Sequence, residues 1–228
     1  MSEDLLAGLL EVLRAHANPA NVAGMARYGI SSVGTLGVPV HVLRRLAKQT
    51  GRDHALAEQL WNSGIHEARI LATLVDDPLR VTARQMDRWA RDFDSWDVCD
   101  HTCHNLFRYT PMAFGKAAQW ARAKREFVRR AGFSLMAGLA VKAGNSTDEQ
   151  FAAFLPLVAE AAGDDRNMVK KAVNWALRQI GKRNRRLRKM AMATATEIGK
   201  QDSRAARWIA ADALRELRNP ATVGRIKA

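Results

Sequence analysis

Residues 168–177 read MVKKAVNWAL, and this segment is the clearest sign of the architecture. Its apolar residues recur at spacings of three and four, which is typical of one face of an α-helix. The same spacing extends through most of the chain, and alternating runs of β-branched residues are absent. The sequence therefore predicts an all-α fold.

Two other segments resemble this one. Residues 127–135 (FVRRAGFSL) and 207–214 (RWIAADAL) also combine basic residues, small residues and a following apolar turn. The period is about 40 residues, an interval typical of HEAT-like helix pairs that bury their apolar stripes by stacking on neighbours. We therefore expect HEAT-like helical repeats forming a curved α-solenoid within a single domain over residues 1–228. An irregular helical bundle is the alternative.

Residues that commonly begin helices support this interpretation. Pro19 suits a first helical turn, and Thr82 with Gln85 has the spacing of a capping box, as does Ser146 with Glu149. The helices are expected at residues 3–16, 19–28, 39–50, 53–63, 65–76, 82–93, 96–107, 112–121, 123–142, 147–162, 165–181, 183–200 and 203–218.

The charge of the chain is divided unevenly. The formal net charge is +13, with 12 Lys and Arg against 13 Asp and Glu in residues 1–114, and 24 against 10 in residues 115–228. A positive field of this strength favours phosphate backbones, so we expect a nucleic-acid partner. The densest basic run, residues 182–189 (KRNRRLRK), is predicted to follow DNA. A solubilising surface, a solvated helix junction or an acidic partner are the alternatives.

Several classes of protein are disfavoured. No uninterrupted apolar run reaches membrane-spanning length, and the start of the chain carries Glu3 and Asp4 instead of a basic, apolar leader. We expect a cytoplasmic monomer without a membrane partner. Cys99, His101, Cys103 and His104 are metal-ligand types, but on a helix His101 points away from the two cysteines. No metal and no cofactor are therefore predicted.

Residues 94–100 read DSWDVCD and place Trp96 and Asp100 four residues apart, on one face of a predicted helix. A tryptophan face attracts positive charge, and a nearby carboxylate stabilises a cation that develops during a reaction. In a basic chain, this pair points to a polyanion with a local positive charge, such as alkylated DNA. Asp97 lies on another face and is expected to orient neighbours or bind a backbone group.

The chain resembles the AlkD-like DNA alkylation repair family, the HEAT-repeat DNA glycosylases, over nearly its whole length. Four segments carry the resemblance in the order of the family: residues 25–28 (MARY), 96–100 (WDVCD), 128–131 (VRRA) and 171–178 (KAVNWALR). The resemblance implies a monofunctional glycosylase that excises cationic N3- and N7-alkylated purines from duplex DNA, without a deep pocket for the base.

The resemblance also implies roles for individual residues. Asp100 is the expected catalytic carboxylate, Trp96 and Trp175 flank the deoxyribose, and Arg130 holds the DNA backbone. The expected DNA-binding residues, from the resemblance and the basic runs together, are Tyr28, Arg129, Lys171, Arg178, Lys182, Arg183, Arg185 and Arg186. The remaining tryptophans are expected to be packing residues: Trp61, Trp89, Trp120 and Trp208.

One departure and two alternatives accompany the resemblance. Some relatives carry a second tryptophan where this chain has Ser95, which is expected to cap the helix instead. A groove that does not enclose the base also suits bulky minor-groove adducts. A non-catalytic DNA-binding or scaffold protein is the alternative from another functional class, because HEAT-like folds have many roles.

Overall fold

The computed structural model describes residues 2–142, 144 and 146–226, and within them it contains helices and no strand. The all-α prediction is confirmed. The helices, with one 3₁₀ turn at Phe107–Tyr109, are α1 (Ser2–Ala15), α2 (Pro19–Ala26), α3 (Val40–Thr50), α4 (His54–Asn62), α5 (His66–Val75), α6 (Ala83–Arg91), α7 (Trp96–Asn105), α8 (Ala113–Trp120), α9 (Glu126–Lys142), α10 (Asp148–Ala152), α11 (Leu155–Ala161), α12 (Asn167–Gly181), α13 (Arg185–Gly199), α14 (Arg204–Arg218) and α15 (Pro220–Val223).

The helix predicted over residues 147–162 is in fact two helices. Pro156 lies in the first turn of α11, where its missing N–H costs no hydrogen bond, so a new helix starts there. The predicted capping box is displaced by one residue, since the backbone N–H of Thr147 donates to Oε1 of Gln150 at 3.0 Å. At the start of α6 the predicted capping by Thr82 is confirmed, because its hydroxyl accepts a hydrogen bond from the backbone N–H of Gln85.

The chain divides into two compact units, Met1–Thr110 and Pro111–Ala228, whereas the sequence predicted one domain. The boundary falls where the charge changes, because residues 111–114 carry no charge. The first unit is therefore nearly neutral and the second strongly basic. No helix in the described part of the chain is long and apolar enough to cross a membrane.

The core of the first unit is built around α5, which packs against α3, α4 and α7. Trp61 and Trp89 are buried, and their rings stack with centroids 4.0 Å apart and planes 4° from parallel. Both are packing residues, as predicted.

A buried carboxylate holds the loop before α3 against this core. Glu67 accepts hydrogen bonds from the backbone N–H groups of Leu36, Gly37 and Val38 at 2.9, 2.6 and 3.2 Å. Gly37 has a φ of +78°, and a Cβ there would lie 2.3 Å from the backbone oxygen of Asn18. Only glycine fits this position without strain.

The second unit is centred on α9, which packs against α8 and most extensively against α12, while α13 packs against α14. Residues 130–140 of α9 are all buried. Gly132 lets α9 approach the end of α8 closely, because a Cβ there would lie 2.4 Å from the backbone nitrogen of Ala121. Trp120 is buried at this contact, as predicted for a packing residue.

Candidate functional site

The first part of the candidate site begins at Trp96, the first residue of α7. Its ring is half-buried, and its indole N–H donates to the backbone oxygen of Tyr28 at 3.0 Å. The side chain of Tyr28 is 71% exposed. The structure thus brings together two of the residues predicted from the sequence, through the backbone of one and the side chain of the other.

Asp100 lies one turn further along α7 and is half-buried. Residues four apart in an α-helix share a face, so its carboxylate lies on the same face as the Trp96 ring. This spacing was read from the sequence, and the structure shows that the segment is helical.

Asp97 has a different setting, because it is buried and hydrogen-bonded within the unit. Its carboxylate accepts from Nε2 of His66 at 2.8 Å and from the backbone N–H of Val98 at 2.9 Å. Burial alone raises the pKa of Asp97, but the hydrogen bond and charge of His66 outweigh it and hold this pKa below its ordinary value. The expectation that Asp97 binds a backbone group is confirmed.

Burial and Asp97 also act in opposite directions on His66. Burial lowers the pKa of His66, but the hydrogen bond and charge of Asp97, with smaller contributions from Glu67 and Asp94, outweigh burial, and the net shift is upward. The pair therefore favours the imidazolium–carboxylate form. Nothing in the sequence pairs two residues 31 positions apart, so sequence reasoning missed this contact.

The expectation that Ser95 caps α7 is wrong. Ser95 occupies the N-cap position with an extended backbone, but within the described residues its side chain makes no capping hydrogen bond. The side chain is fully buried, and the N–H of Val98 is taken by Asp97.

A cavity of about 450 Å³ opens beside Trp96 within the first unit. Most of its wall is apolar, and His101 adds an imidazole whose pKa burial lowers. The wall includes Tyr28, His66, Trp96, Asp97 and His101, but Asp100 is not among the lining residues.

The second unit holds Arg130 and Trp175. Arg130 is only 6% exposed, and its Nη1 donates to the backbone oxygen of Met168 at 2.7 Å, which ties α9 to the start of α12. Trp175 is a half-buried residue of α12. With the Gln179 amide oriented to satisfy both neighbours, its oxygen accepts from Nε1 of Trp175 at 3.1 Å and from Nζ of Lys182 at 3.3 Å.

Lys171, Trp175, Arg178 and Lys182 follow one another at spacings of four, three and four along α12 and its C-cap, so they form one stripe. Two of its cations are already paired. Nη1 of Arg178 lies 2.5 Å from Oε2 of Glu216, and Nζ of Lys182 lies 2.6 Å from Oε1 of the same carboxylate. Lys171 is exposed, and no described acidic side chain pairs with it.

Most of the other predicted DNA-binding arginines are paired within the second unit. Arg129 binds Asp164, Arg186 binds Glu149, and Nη1 of Arg183 donates to the backbone oxygen of Ala140 at 2.7 Å. Arg185 is exposed, and it has no acidic partner in the described part of the molecule. Of the predicted DNA-binding cations, Lys171 and Arg185 are therefore the ones presented to solvent without a partner.

Trp208 is not a packing residue. It is 42% exposed on α14, and Nζ of Lys170 lies 5.0 Å from its ring centroid. The prediction for this residue is wrong, because the buried positions of α14 fall on its neighbours Ile209 and Ala206.

The suspected metal ligands are separated by burial. The side chains of Cys99 and Cys103 are buried, while His101 lines the cavity beside Trp96. Throughout residues 2–142, 144 and 146–226, no cluster of three or more His, Cys, Asp or Glu side chains is arranged to hold a metal ion.

Comparison with solved structures gives a likeness that covers nearly the whole chain. The chain is similar, at 20% identity and a TM-score of 0.75, to a solved protein described as one of "a new family of proteins related to the HEAT-like repeat DNA glycosylases with affinity for branched DNA structures". The match covers 92% of this chain and 94% of that chain, so the HEAT-like fold is confirmed. A designed armadillo repeat protein is 14% identical, with a TM-score of 0.35 over 77% of this chain and 92% of its own.

A search of curated protein sequences gives no match. The family model described as "DNA alkylation repair enzyme" matches residues 9–217, which span both compact units. This match covers far more than half of the chain. The protein therefore belongs to the DNA alkylation repair enzyme family.

Proposed function

We propose that this protein is a monofunctional DNA glycosylase that removes cationic N3- and N7-alkylated purines from double-stranded DNA. One observation carries the proposal. In a chain of the DNA alkylation repair family, Trp96 and Asp100 lie one turn apart on the same face of α7, with the Trp96 indole fixed by the Tyr28 backbone.

The chemistry needs little from the protein because an alkylated purine already carries positive charge. The C1′–N bond breaks, its electron pair moves to the purine, and the base leaves neutral without a general acid. The sugar is left with oxocarbenium character, which the Asp100 carboxylate stabilises while it orients a water molecule towards C1′. The water adds to C1′, and its proton passes to solvent.

The hydrogen bonds support Asp100 over Asp97 as the acting carboxylate. Asp97 is buried and bound to His66 and to the backbone of α7, so its negative charge is already balanced by partners within the first unit. Asp100 is half-exposed on the Trp96 face of the same helix. A carboxylate that acts on a sugar must be reachable from solvent, and Asp100 meets that requirement.

Trp96 contributes its ring face. Because the indole N–H is bound to Tyr28, the orientation of the ring is fixed before DNA arrives. A desolvated cation on such a ring is stabilised by about 1–2 kcal/mol. Trp175 and Arg130 are included in the proposal on the resemblance alone, with Trp175 beside the deoxyribose and Arg130 at the backbone.

Double-stranded DNA is the proposed partner, and the protein is proposed to act as a monomer. The second unit carries 24 Lys and Arg against 10 Asp and Glu, which favours phosphate contact. Of the DNA-binding residues expected from the resemblance and the basic runs, we propose Tyr28, Lys171 and Arg185 as the ones that contact DNA, because they are exposed. The others are bound within the second unit: Arg129, Arg178, Lys182, Arg183 and Arg186.

Two other functions have specific support. The structural relative described as having affinity for branched DNA favours non-catalytic binding to DNA. The cavity of about 450 Å³ beside Trp96 favours a glycosylase for bulky adducts, since it offers apolar wall next to the proposed site of reaction.

The deciding experiment measures release of free alkylpurine from methylated duplex DNA by the wild type and by Asp100→Asn, with duplex binding measured in parallel. We expect Asp100→Asn to lower the excision rate by about 100-fold or more while binding persists, because the carboxylate acts on the transition state. Asp94→Asn is the control, since it removes an exposed carboxylate from the segment just before α7. Wild-type binding without release would instead support the non-catalytic function, and equal excision by both proteins would remove Asp100 from the mechanism.

A further inference from the structure

Trp208 is an exposed aromatic residue that the proposed glycosylase mechanism does not use. It is 42% exposed on α14, in contrast to the buried Trp61, Trp89 and Trp120. The exposed indole presents a flat aromatic face on which a ligand can stack. Its position in the basic unit makes it a candidate for contact with a ligand.

Two cations share the surface around the ring, Lys170 and Arg204. Nζ of Lys170 lies 5.0 Å from its centroid, and Arg204 lies one turn earlier on the same exposed face of α14. Arg207 is adjacent and is bound to Asp202 at 3.2 Å. Ala211 follows Trp208 at a spacing of three and is exposed, so a small side chain comes next along this face.

A cavity of about 630 Å³ lies next to the ring. Its wall includes Asp165, Lys170, Asp202, Arg204 and Trp208, and thus presents two cations, two carboxylates and an aromatic face. This volume is within the range of sites that bind small ligands, of about 300–1,000 Å³. The carboxylates distinguish this site from a plain phosphate-binding patch, which they would weaken.

We propose that Trp208 is a stacking platform for an unpaired nucleobase in a single-stranded DNA segment next to a duplex. A base that is out of the helix has a free π-face for the indole. Lys170 and Arg204 are placed to contact the flanking phosphates, and Asp165 or Asp202 accepts a hydrogen bond from the amino group of the base. Cytosine has such an amino group and thymine has none.

The alternative macromolecule for this surface is an acidic peptide, which the observations favour less. Carboxylates at Asp165 and Asp202 would repel acidic side chains, whereas they can pair with a base amino group. A base-paired duplex is also a poor ligand for the ring, because its bases are stacked on one another.

The test compares binding to three unmethylated DNAs by fluorescence anisotropy: a blunt duplex, the same duplex with a cytosine tail, and the same duplex with a thymine tail. Trp208→Ala should weaken binding to the cytosine-tailed DNA by about 5- to 100-fold, the range expected for the loss of one base-stacking contact. The affinity for the blunt duplex should not change. Trp208→Phe should retain most of the affinity for the tail, because a ring remains. The wild type should prefer the cytosine tail to the thymine tail.

Tyr109→Ala provides a matched control. Tyr109 is also exposed and also has a cation on its ring, with the guanidinium carbon of Arg108 at 4.7 Å. Its loss should leave the affinity for tailed DNA unchanged. For binding to the tailed DNA, Lys170→Gln should reduce the slope of log affinity against log salt concentration by about 0.7. This is the value for one phosphate contact to a single strand.

Three results would overturn the proposal: an equal loss for blunt and tailed DNA, no loss in Trp208→Ala, or an equal loss in Tyr109→Ala. Thermal unfolding of each variant shows whether a loss of binding comes from a loss of folding. Because the assay uses unmethylated DNA and no excision, its failure is distinguishable from failure of the proposed glycosylase. Trp208→Ala is expected to excise alkylpurines from methylated duplex at the wild-type rate.

Discussion

The indole N–H of Trp96 donates to the backbone oxygen of Tyr28 at 3.0 Å and so links residues 68 positions apart in the sequence. The acceptor is a main-chain atom, which means that the side chain of Tyr28 is not needed for this bond. The contact fixes the ring at the start of α7 by means of the segment that follows α2. The contributions of the Trp96 and Tyr28 side chains can therefore be tested independently by mutation.

Trp96→Phe should lower the free energy of unfolding by about 1 kcal/mol, since it removes one neutral hydrogen bond. It should also slow excision, because the ring is no longer held in one orientation. Chemical denaturation and single-turnover excision measure the two effects. Tyr28→Phe retains the carbonyl and is expected to match the wild type in stability; a stability loss there equal to that of Trp96→Phe would contradict this account.

The stabilising interaction between His66 and Asp97 should depend on pH in a defined direction. The raised pKa of His66 stabilises the fold below the ordinary histidine value of 6.5, and this contribution disappears as pH rises through the folded pKa. The lowered pKa of Asp97 stabilises above the ordinary aspartate value of 3.8, and this contribution disappears as pH falls through the folded pKa. The interaction should thus be strongest between these two values.

A double-mutant cycle of His66→Gln and Asp97→Asn, measured by urea unfolding, tests this expectation. The coupling free energy should be larger at pH 5 than at pH 9. A coupling energy that does not change with pH would mean that the pair is not ionic. Asp76→Asn is a useful comparison, because Asp76 is a buried carboxylate with its own histidine partner, His54, at 2.7 Å.

Gly37→Ala should destabilise the first unit by about 3 kcal/mol, because it combines a φ of +78° with a Cβ at 2.3 Å from a backbone oxygen. The matched control is Gly24→Ala in α2, where a Cβ would meet nothing within 4 Å. That change should be neutral or stabilising by about 0.5–1 kcal/mol, since alanine favours helices. Thermal and urea unfolding distinguish the two, and equal effects would show that the loop before α3 is not tightly held.

We expect Lys171→Gln to affect DNA binding and Arg178→Gln to affect stability, although both residues lie on the same stripe of α12. Lys171 is exposed, so its loss should lower the salt slope of duplex binding by about 0.9 with little change in stability. Arg178 is bound to Glu216 and lies 3.6 Å from Asp212, so its loss should mainly reduce the free energy of unfolding. Salt-dependent anisotropy and urea unfolding measure both quantities. If Arg178→Gln alone changed the salt slope of duplex binding, Arg178 and not Lys171 would be the residue that contacts phosphate.

The helices were largely predictable because apolar spacing reports directly on the buried face. The segments of α7 and α12 are helical as expected, and the spacing of Trp96 and Asp100 already placed them on one face. The division of residues 147–162 was missed because the spacing continues across Pro156, whose effect on the chain is local. The predicted roles of the site residues stay predictions, to be tested by the experiments above.

Pairings between distant residues were not predictable. The basic run at residues 182–189 reads as a free cationic surface in sequence, yet Arg183 and Arg186 bind groups more than 30 positions away. The exposure of Trp208 was missed because tryptophan is usually a packing residue, although Ile209, Ala213 and Leu217 mark the buried face of α14 and Trp208 lies off that face. Ion pairing and burial depend on contacts that a one-dimensional pattern does not contain.

The division of charge between the two compact units has a consequence for how this protein can evolve. The proposed binding of a phosphate backbone would depend on many interchangeable cations, and the whole excess of positive charge resides in the second unit. The carboxylate proposed to act on the sugar belongs to the nearly neutral first unit. Substitutions that adjust residence time on DNA can therefore accumulate in one half of the chain while selection for reactivity acts on the other.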